Sequence, residues 1–397
     1  MQLIEVTTPQ QGEDFIKFPI ALYKGDPNYV RPLDDDIRKV FDPKRNKYFK
    51  HGSATRFLLK DDNGKYIGRI AAFINERNYK EFPQPTGGMG FFECINNQEA
   101  ANILFDACKK WLSERGMEAM NGPINFGERN NWWGLLIDGF TPPCYGMNYN
   151  PKYYKDLLEN YGFQVYFYQY SYGLNVNDPR PEKYYEKSRK LLEDKNYHFE
   201  HIDFKKIEKQ TEDFRIVFNK AFGGREGVKD LTPEQATNLM KALKPVMVDY
   251  LLWLGYYKDE PIALFFMIPD LNGYFKYVNG KMNWIGIAKY MYHKIMGTNR
   301  KMFGFLFGVV PEHQGKGVEG GIIIAADSVV TPKKRWDTME LTWIADFNPR
   351  MMKVAENLGA HIAKTHATYR YIFDRSIPFE RSKIEGGSLH SETESAT

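Results

Sequence analysis

The sequence predicts an α/β protein of two tandem domains, each a mixed, part-parallel twisted sheet flanked by helices. Three observations predict this class. The chain has 397 residues, more than one ordinary domain needs. Apolar residues switch repeatedly between the strand period and the helix period. The same succession of strand and helix then occurs twice in one order, which reads as a degenerate duplication.

In the first half, residues 54–74 form a hairpin about the turn Asp61-Asp62-Asn63-Gly64. A strand follows at 89–95. A helix at 98–114 carries Ala101, Leu104, Phe105, Cys108 and Trp111 at helical spacing. A short strand ends in Asn121-Gly122-Pro123, and a helix at 151–160 stops at Gly162. In the second half, residues 248–268 form a hairpin about Lys258-Asp259-Glu260-Pro261. A strand at 302–310, a helix at 318–330, a strand at 338–344, a helix at 349–357 and a strand at 361–373 complete it. Breaker residues at 175–185 mark a boundary, giving domains at 1–174 and 175–381. The tail 382–397, SKIEGGSLHSETESAT, has almost nothing to bury and reads as disordered.

Composition narrows the function. The net charge is +4, too weak to make nucleic acid the expected main partner. Three cysteines without paired spacing suggest neither a disulfide framework nor a metal site, and fit a cytoplasmic location. No apolar run approaches the roughly 20 residues of a membrane span, and the start lacks a signal-peptide pattern. Aromatic residues at 15% are enough to line a deep apolar cleft.

The sharpest motif is Val309-Val310-Pro311-Glu312-His313-Gln314-Gly315-Lys316-Gly317-Val318-Glu319-Gly320, between a strand and a helix. Glycines let backbone N–H groups approach a ligand, and a helix N-terminus favours an anion such as pyrophosphate. By itself the loop also fits a plain strand–helix turn. It resembles, however, the acyl-CoA loop of the GNAT superfamily (Gcn5-related N-acyltransferases), Val-x-Pro-x-x-Gln/Arg-Gly-x-Gly-x-Gly/Ala. Asn348-Pro349-Arg350-Met351 through Leu358-Gly359-Ala360 is similar to that superfamily's next motif, in which an Asn begins the helix. The resemblance covers 249–373 well and the first half through its element order. LYKGDPNYVRPL (22–33), NGPINF (121–126), PDLNGY (269–274), ELTWI (340–344) and KTHATYRYI (364–372) resemble a bacterial tandem-GNAT family. That family is similar to bacterial ceramide synthases of GNAT type, which acylate a sphingoid amine.

The resemblance implies an acyl-CoA co-substrate held by Val309, Val310, His313, Gln314, Gly315, Lys316, Gly317, Val318 and Asn348, with no metal. It implies a backbone N–H near Val309 or Val310 as polariser of the thioester carbonyl. Two positions depart from the pattern. Glu319 stands where Gly or Ala is usual, and Ala355 where a proton-donating Tyr is common. The first half has Glu93-Cys94-Ile95-Asn96-Asn97-Gln98 in place of a glycine loop, so one CoA site per chain is expected.

Deprotonating the acceptor ammonium needs a base. Glu340, Asp270, His313 and Glu312 are the candidates. Glu340 fits a base or a strand-end ion pair; Asp270 and Asn272 fit a site or a capped turn. Tyr369 is a substitute proton donor to the thiolate, or a packed strand residue. Arg370 and Trp343 lie in family-like segments and are assigned to substrate. Asn125 and Trp133 belong to a polar–aromatic segment, Asn121 to Gly134, expected to wall the acceptor site. The plain alternative is an irregular exposed loop, against which stands that exposed tryptophan pairs such as Trp132-Trp133 are uncommon without a partner. An amphipathic helix at 283–301 is ordinarily a surface helix turning its apolar side to the core. The sharper reading is an interfacial helix contacting a membrane, or a lipid-access lid.

Together these give an acyl-CoA-dependent N-acyltransferase acting on a primary amine, small or lipid. A Fem-like aminoacyl transferase and a silent acyl-CoA-binding protein are the alternatives.

Overall fold

The computed structural model describes residues 1–382 except 78, 80, 81, 130 and 224–229. The expected disordered tail thus lies outside the described residues, Ser382 apart. The chain folds as two compact units. Of the described residues, the first holds 1–170, 275–290 and 364–382; the second holds 171–274 and 291–363. Two later segments therefore return to the first unit, beside the single boundary expected near residue 174.

In the first unit, β1 (Gln2–Glu5), α1 (Pro9–Leu22) and α2 (Asp34–Val40) precede a meander. The meander is β2 (Gly52–Lys60), β3 (Tyr66–Asn75) and β4 (Thr86–Cys94), all antiparallel. Helix α3 (Gln98–Ser113), capped by the Asn97 side chain, crosses over to β5 (Ala119–Gly122), parallel to β4. β6 (Leu135–Asp138) and α4 (Tyr154–Tyr161) follow, and Gly162 closes α4 with φ +109°. Only glycine takes that conformation cheaply. The apolar face of α3 (Ala101, Leu104, Phe105, Cys108) is fully buried against the sheet residues Leu59, Ile70 and Met89.

β7 (Gln164–Asn175) carries the chain into the second unit. There α5 (Glu182–Glu193), β8 (Tyr197–His201), α6 (Ile207–Phe222) and α7 (Pro233–Leu243) precede the hairpin β9 (Leu252–Tyr257) and β10 (Glu260–Pro269). The short α8 (Asn272–Phe275) and α9 (Trp284–Ile295) come next. Then β11 (Lys301–Val309), α10 (Val318–Val330), β12 (Thr338–Ala345) and α11 (Pro349–Asn357) follow. The sheet order is β8-β9-β10-β11-β12, antiparallel until β11 and β12, which are parallel across α10. This repeats the first unit's plan of antiparallel meander, crossover helix and parallel strand. β13 (His361–Ile372) brings the chain back to the first unit, where Tyr369–Ile372 pair antiparallel with β5.

Every predicted hairpin, strand and helix is present, with ends moved by a few residues. The helix predicted to 301 stops at Ile295 because Gly297, at φ +62°, turns the chain.

Candidate active site

The loop between β11 and α10 has the geometry of an anion cradle. Gly315 and Gly317 sit at φ +73° and +92°. Gly317 caps α10 without any side-chain bond, so the first helical N–H groups are not taken by a cap. No atom lies within 4 Å of where a Cβ on Gly315 would be, so the backbone there is open to close approach. Gln314 donates from Nε2 to the Val309 carbonyl at 2.9 Å and ties the loop to the strand end. Lys316 is exposed beside it. His313 is wedged against Tyr197 and Tyr257, with Nδ1 3.2 Å from the Tyr197 hydroxyl. Burial, then Lys316, lowers its pKa, so His313 braces the loop as a neutral ring.

Glu319 turns its carboxylate into this loop: Oε1 accepts the Gly315 N–H at 3.2 Å. It holds a donor that a phosphate would use. Glu319→Ala should therefore tighten CoA binding roughly two- to tenfold, the net worth of about one hydrogen bond. Calorimetry checks this; weaker binding would mean the carboxylate instead holds the loop in shape.

β11 parts from its parallel neighbour. The described pairs with β12 run from Lys301↔Thr338 to Gly304↔Leu341, and none joins 306–309 to β12. On its other edge Phe266 faces Leu306 while Met267 faces Gly304, so Phe305 is a bulged extra residue. The bulge lies where the described β11–β12 pairs end. Val310 is committed: its N–H donates to Ile262 at 2.9 Å. Strand alternation then turns the Val309 N–H away from β10. Of the two residues expected to supply the donor, the Val310 N–H is thus engaged with β10 and the Val309 N–H is turned away from it.

Asp270, Asn272 and Glu340 are brought together at the other end of β10–β12. Glu340 is 3% exposed and its Oε2 lies 2.6 Å from Lys301 Nζ. Asp270 donates its N–H to the Lys301 carbonyl at 2.9 Å, and its Oδ1 accepts the Asn272 N–H at 3.2 Å. Asn299 donates to the Asp270 carbonyl at 2.9 Å. Asp270 and Asn272 are thus a capped turn, and Glu340 is in an ion pair. Sequence reasoning missed Lys301; a lysine opening an interior strand two positions from the register partner of Glu340 was the available signal. Trp343, on the opposite face of β12 from Glu340, is half-buried. Asn348 caps α11 by accepting the Met351 N–H at 3.2 Å. Ala355 is 1% exposed, so a tyrosine would not fit there without repacking.

The first unit corrects one expectation. Tyr369, proposed as a proton donor, is a core residue whose hydroxyl donates to Glu159 at 2.9 Å. Burial, then Glu159, raises its phenol far above the ordinary range, which suits a structural bond rather than proton delivery. The tryptophan pair is not exposed: Trp133 is buried, under Arg129, and Trp132 packs on Phe91.

What the first unit does hold is a buried polar strand face. Lys364, His366, Thr368 and Arg370 alternate along β13 and are each at most 2% exposed. Thr368 donates to Gln169 Oε1 at 3.2 Å, and His366 Nε2 faces the Asn148 carbonyl at 3.1 Å. Arg370 donates to Gln84 and Thr86 at 3.0 and 2.8 Å and lies over Phe82 and Tyr166; burial lowers its pKa. Asn121 is its register partner on β5. Around this face Asn121 Oδ1, Asn125 Oδ1, Trp133 Nε1 and Gln169 Nε2 are buried polar atoms with no hydrogen-bond partner among the described residues. Such atoms are costly unless a ligand or water meets them. The alternation Lys-x-His-x-Thr-x-Arg was readable in the sequence; only Arg370 was singled out from it.

Where a phosphate loop would stand in the first unit, the strand end is sealed. Glu93 accepts from the Tyr23 and Tyr154 hydroxyls, each at 2.8 Å, with Arg69 at 3.5 Å. Tyr154 OH also accepts the Cys94 N–H at 2.8 Å, and Tyr153 OH donates to the Cys94 carbonyl at 2.7 Å. Burial raises the Glu93 carboxyl against the pull of Arg69 and the two phenols. Tyrosines occupy the backbone groups that a pyrophosphate would need.

No family model matches the chain. It is 26% identical over 380 residues to the bacterial ceramide synthase of Caulobacter vibrioides, covering 93% of this chain and 97% of that one. It is 25% identical over 363 residues to protein YghO of Escherichia coli, covering 89% and 91%. A tandem GNAT protein from the clavulanic acid biosynthesis pathway superposes with a TM-score of 0.51 at 7% identity, over 93% of this chain and 98% of that one. A GCN5-related glucosamine N-acetyltransferase region of a fungal enzyme superposes at 0.54 and 13% identity, over 93% of this chain and 38% of that one. Two units with one plan and a glycine loop between parallel strand and helix meet these likenesses at one point: the chain has the tandem GNAT fold.

Proposed function

We propose that the protein is an acyl-CoA-dependent N-acyltransferase that forms an amide on a long-chain primary amine. The observation that carries this reading is the glycine loop between β11 and α10, where Gly315 and Gly317 sit at positive φ, the space beside Gly315 is open, and no side chain caps α10. The loop's N–H groups and Lys316 would take the CoA phosphates. From Val310 back to Gly304 is about 20 Å along the strand at roughly 3.3 Å per residue. An extended pantetheine arm is of comparable reach. A thioester carried on it would lie near the Phe305 bulge, within reach of backbone donors on β11 and of the Glu340–Lys301 pair. A base, for which Glu340 is the candidate, takes a proton from the ammonium; the free amine attacks the thioester carbon, the C–S bond breaks, and the departing CoA thiolate takes up the second proton lost from the nitrogen. Within the first unit, the buried polar face of β13, with Asn121 and Gln169 beside it, offers both donors and acceptors to a polar group.

The ceramide synthase likeness and the aromatic content support a lipid acceptor. Most of its binding then comes from apolar burial, at about 0.8 kcal/mol per methylene. Shortening the amine by four methylenes should lower kcat/KM by up to about 3 kcal/mol, roughly 150-fold. Assays with one acyl-CoA and amines of graded length, below their micellar limits, test this. A flat series with good turnover of small polar amines would reject the lipid acceptor and leave acyl transfer intact. The silent acyl-CoA-binding reading rests on Glu319, which occupies a loop donor, and on Ala355.

A further inference from the structure

Helix α9 is amphipathic in the reverse sense: its apolar side faces outward. Trp284 is 78% exposed, Ile295 77%, Met296 60%, Tyr292 59% and Ile287 49%. Ile285 and Met291 are exposed as well. At 100° per residue these positions fill a continuous half of the helix surface. The other side is the one held by the protein. Gly286 is buried, Tyr290 packs on Phe275 at 6.0 Å, and Lys294 donates to the Pro245 carbonyl at 2.6 Å. The ordinary expectation for this segment, an apolar stripe turned to the core, is therefore overturned.

Exposure alone does not say what covers such a face; charge does. From Phe275 to Lys301 the sequence contains no Asp or Glu, and it carries Lys276, Lys281, Lys289, Lys294, Arg300 and Lys301. Arg300 and Lys301 are paired with Asp337 and Glu340, whereas Lys276, Lys281 and Lys289 stand exposed around the apolar face. A Trp and a Tyr within an apolar face rimmed by lysines match the boundary between acyl chains and anionic headgroups. A second copy of the chain would bring the same lysines against one another across a two-fold axis. At 12 residues, about 18 Å, α9 is too short to cross a bilayer, and no described helix is long and apolar enough to do so.

We infer that α9 is a membrane-docking helix, which lies in the interface of an anionic bilayer with Trp284, Ile287, Met291 and Ile295 among the acyl chains and Lys281 and Lys289 at the headgroups. This deepens the lipid-acceptor reading by naming where such an acceptor is met. It does not depend on turnover, and vesicle binding and acyl transfer are measured separately.

The test is co-sedimentation of the full chain with vesicles of phosphatidylcholine alone and with phosphatidylglycerol added. Binding should favour the anionic vesicles on the order of tenfold and weaken with salt. The variant I287S/I295S changes two exposed side chains, so it should fold as the parent does by circular dichroism, yet lose vesicle binding at least tenfold. The variant K281E/K289E should lose the anionic preference. Absence of binding to anionic vesicles would overturn the inference. So would equal binding by parent and I287S/I295S, or a dimer seen by light scattering that this variant dissolves. A protein that docks but transfers no acyl group would leave this inference standing and remove the acyltransferase reading.

Discussion

Glu340→Gln should slow acyl transfer by roughly 10²–10⁴-fold while leaving CoA affinity unchanged, if its carboxylate is the base. The substitution keeps the shape of the side chain and removes its charge. It also replaces the charged group 2.6 Å from the Lys301 ammonium by a neutral amide. Lys301 is partly exposed, so water can serve its charge, and the fold should survive. A purely structural ion pair predicts something else: lower thermal stability with kcat nearly intact. Steady-state kinetics over a pH range, beside a melting curve, separate the two. Loss of the acidic limb of the rate profile in the Gln variant, with Tm little changed, supports the base. A full-rate Gln variant would move proton removal to Asp270 or to a water chain.

Placing a carboxylate in the loop should be the most damaging change to CoA binding. Gly317→Asp should weaken it by about 1–3 kcal/mol or more, through like-charge repulsion and lost backbone access. Gly317 is at φ +92°, so strain also contributes. Gly315 separates the effects. It has no neighbour within 4 Å of a Cβ and sits at φ +73°, which Asn and Asp tolerate best among side chains. Gly315→Asn should bind CoA only slightly more weakly, and Gly315→Asp should lose roughly tenfold more than Asn. Equal affinity of both folded variants and the parent, by calorimetry, would sink the phosphate-loop assignment.

Local elements were legible because their signals are local. Gly162, Asn97 and Asn348 end or begin helices through their own backbone and side chains, and α10 and α11 fall on the predicted residues. The turn between β11 and α10 was legible because Gly315 and Gly317 adopt a backbone conformation that other residues resist. What stayed hidden depends on distant pairing. That Arg370 lies opposite Asn121, or that residues 364–382 pack with the first unit, has no mark in either segment alone. β7 was passed over because its tyrosine-rich run is buried or half-buried on both faces, which hides the period of two. The apolar positions of α9 were read correctly as one face, but periodicity cannot say whether a face looks inward or outward. Tyr369 was misjudged for the same reason: its partner, Glu159, is 210 positions away.

The most direct test of the central claim follows both products of one reaction. The protein is incubated with a long-chain acyl-CoA and a long-chain amino alcohol; thiol release is followed colorimetrically and the amide by mass spectrometry. Amide transfer predicts that free CoA and amide appear in equal amounts, that both need the amine, and that Glu340→Gln and Gly317→Asp suppress them together. Thiol release at the same rate without amine, or acyl-CoA bound and recovered intact, would contradict it.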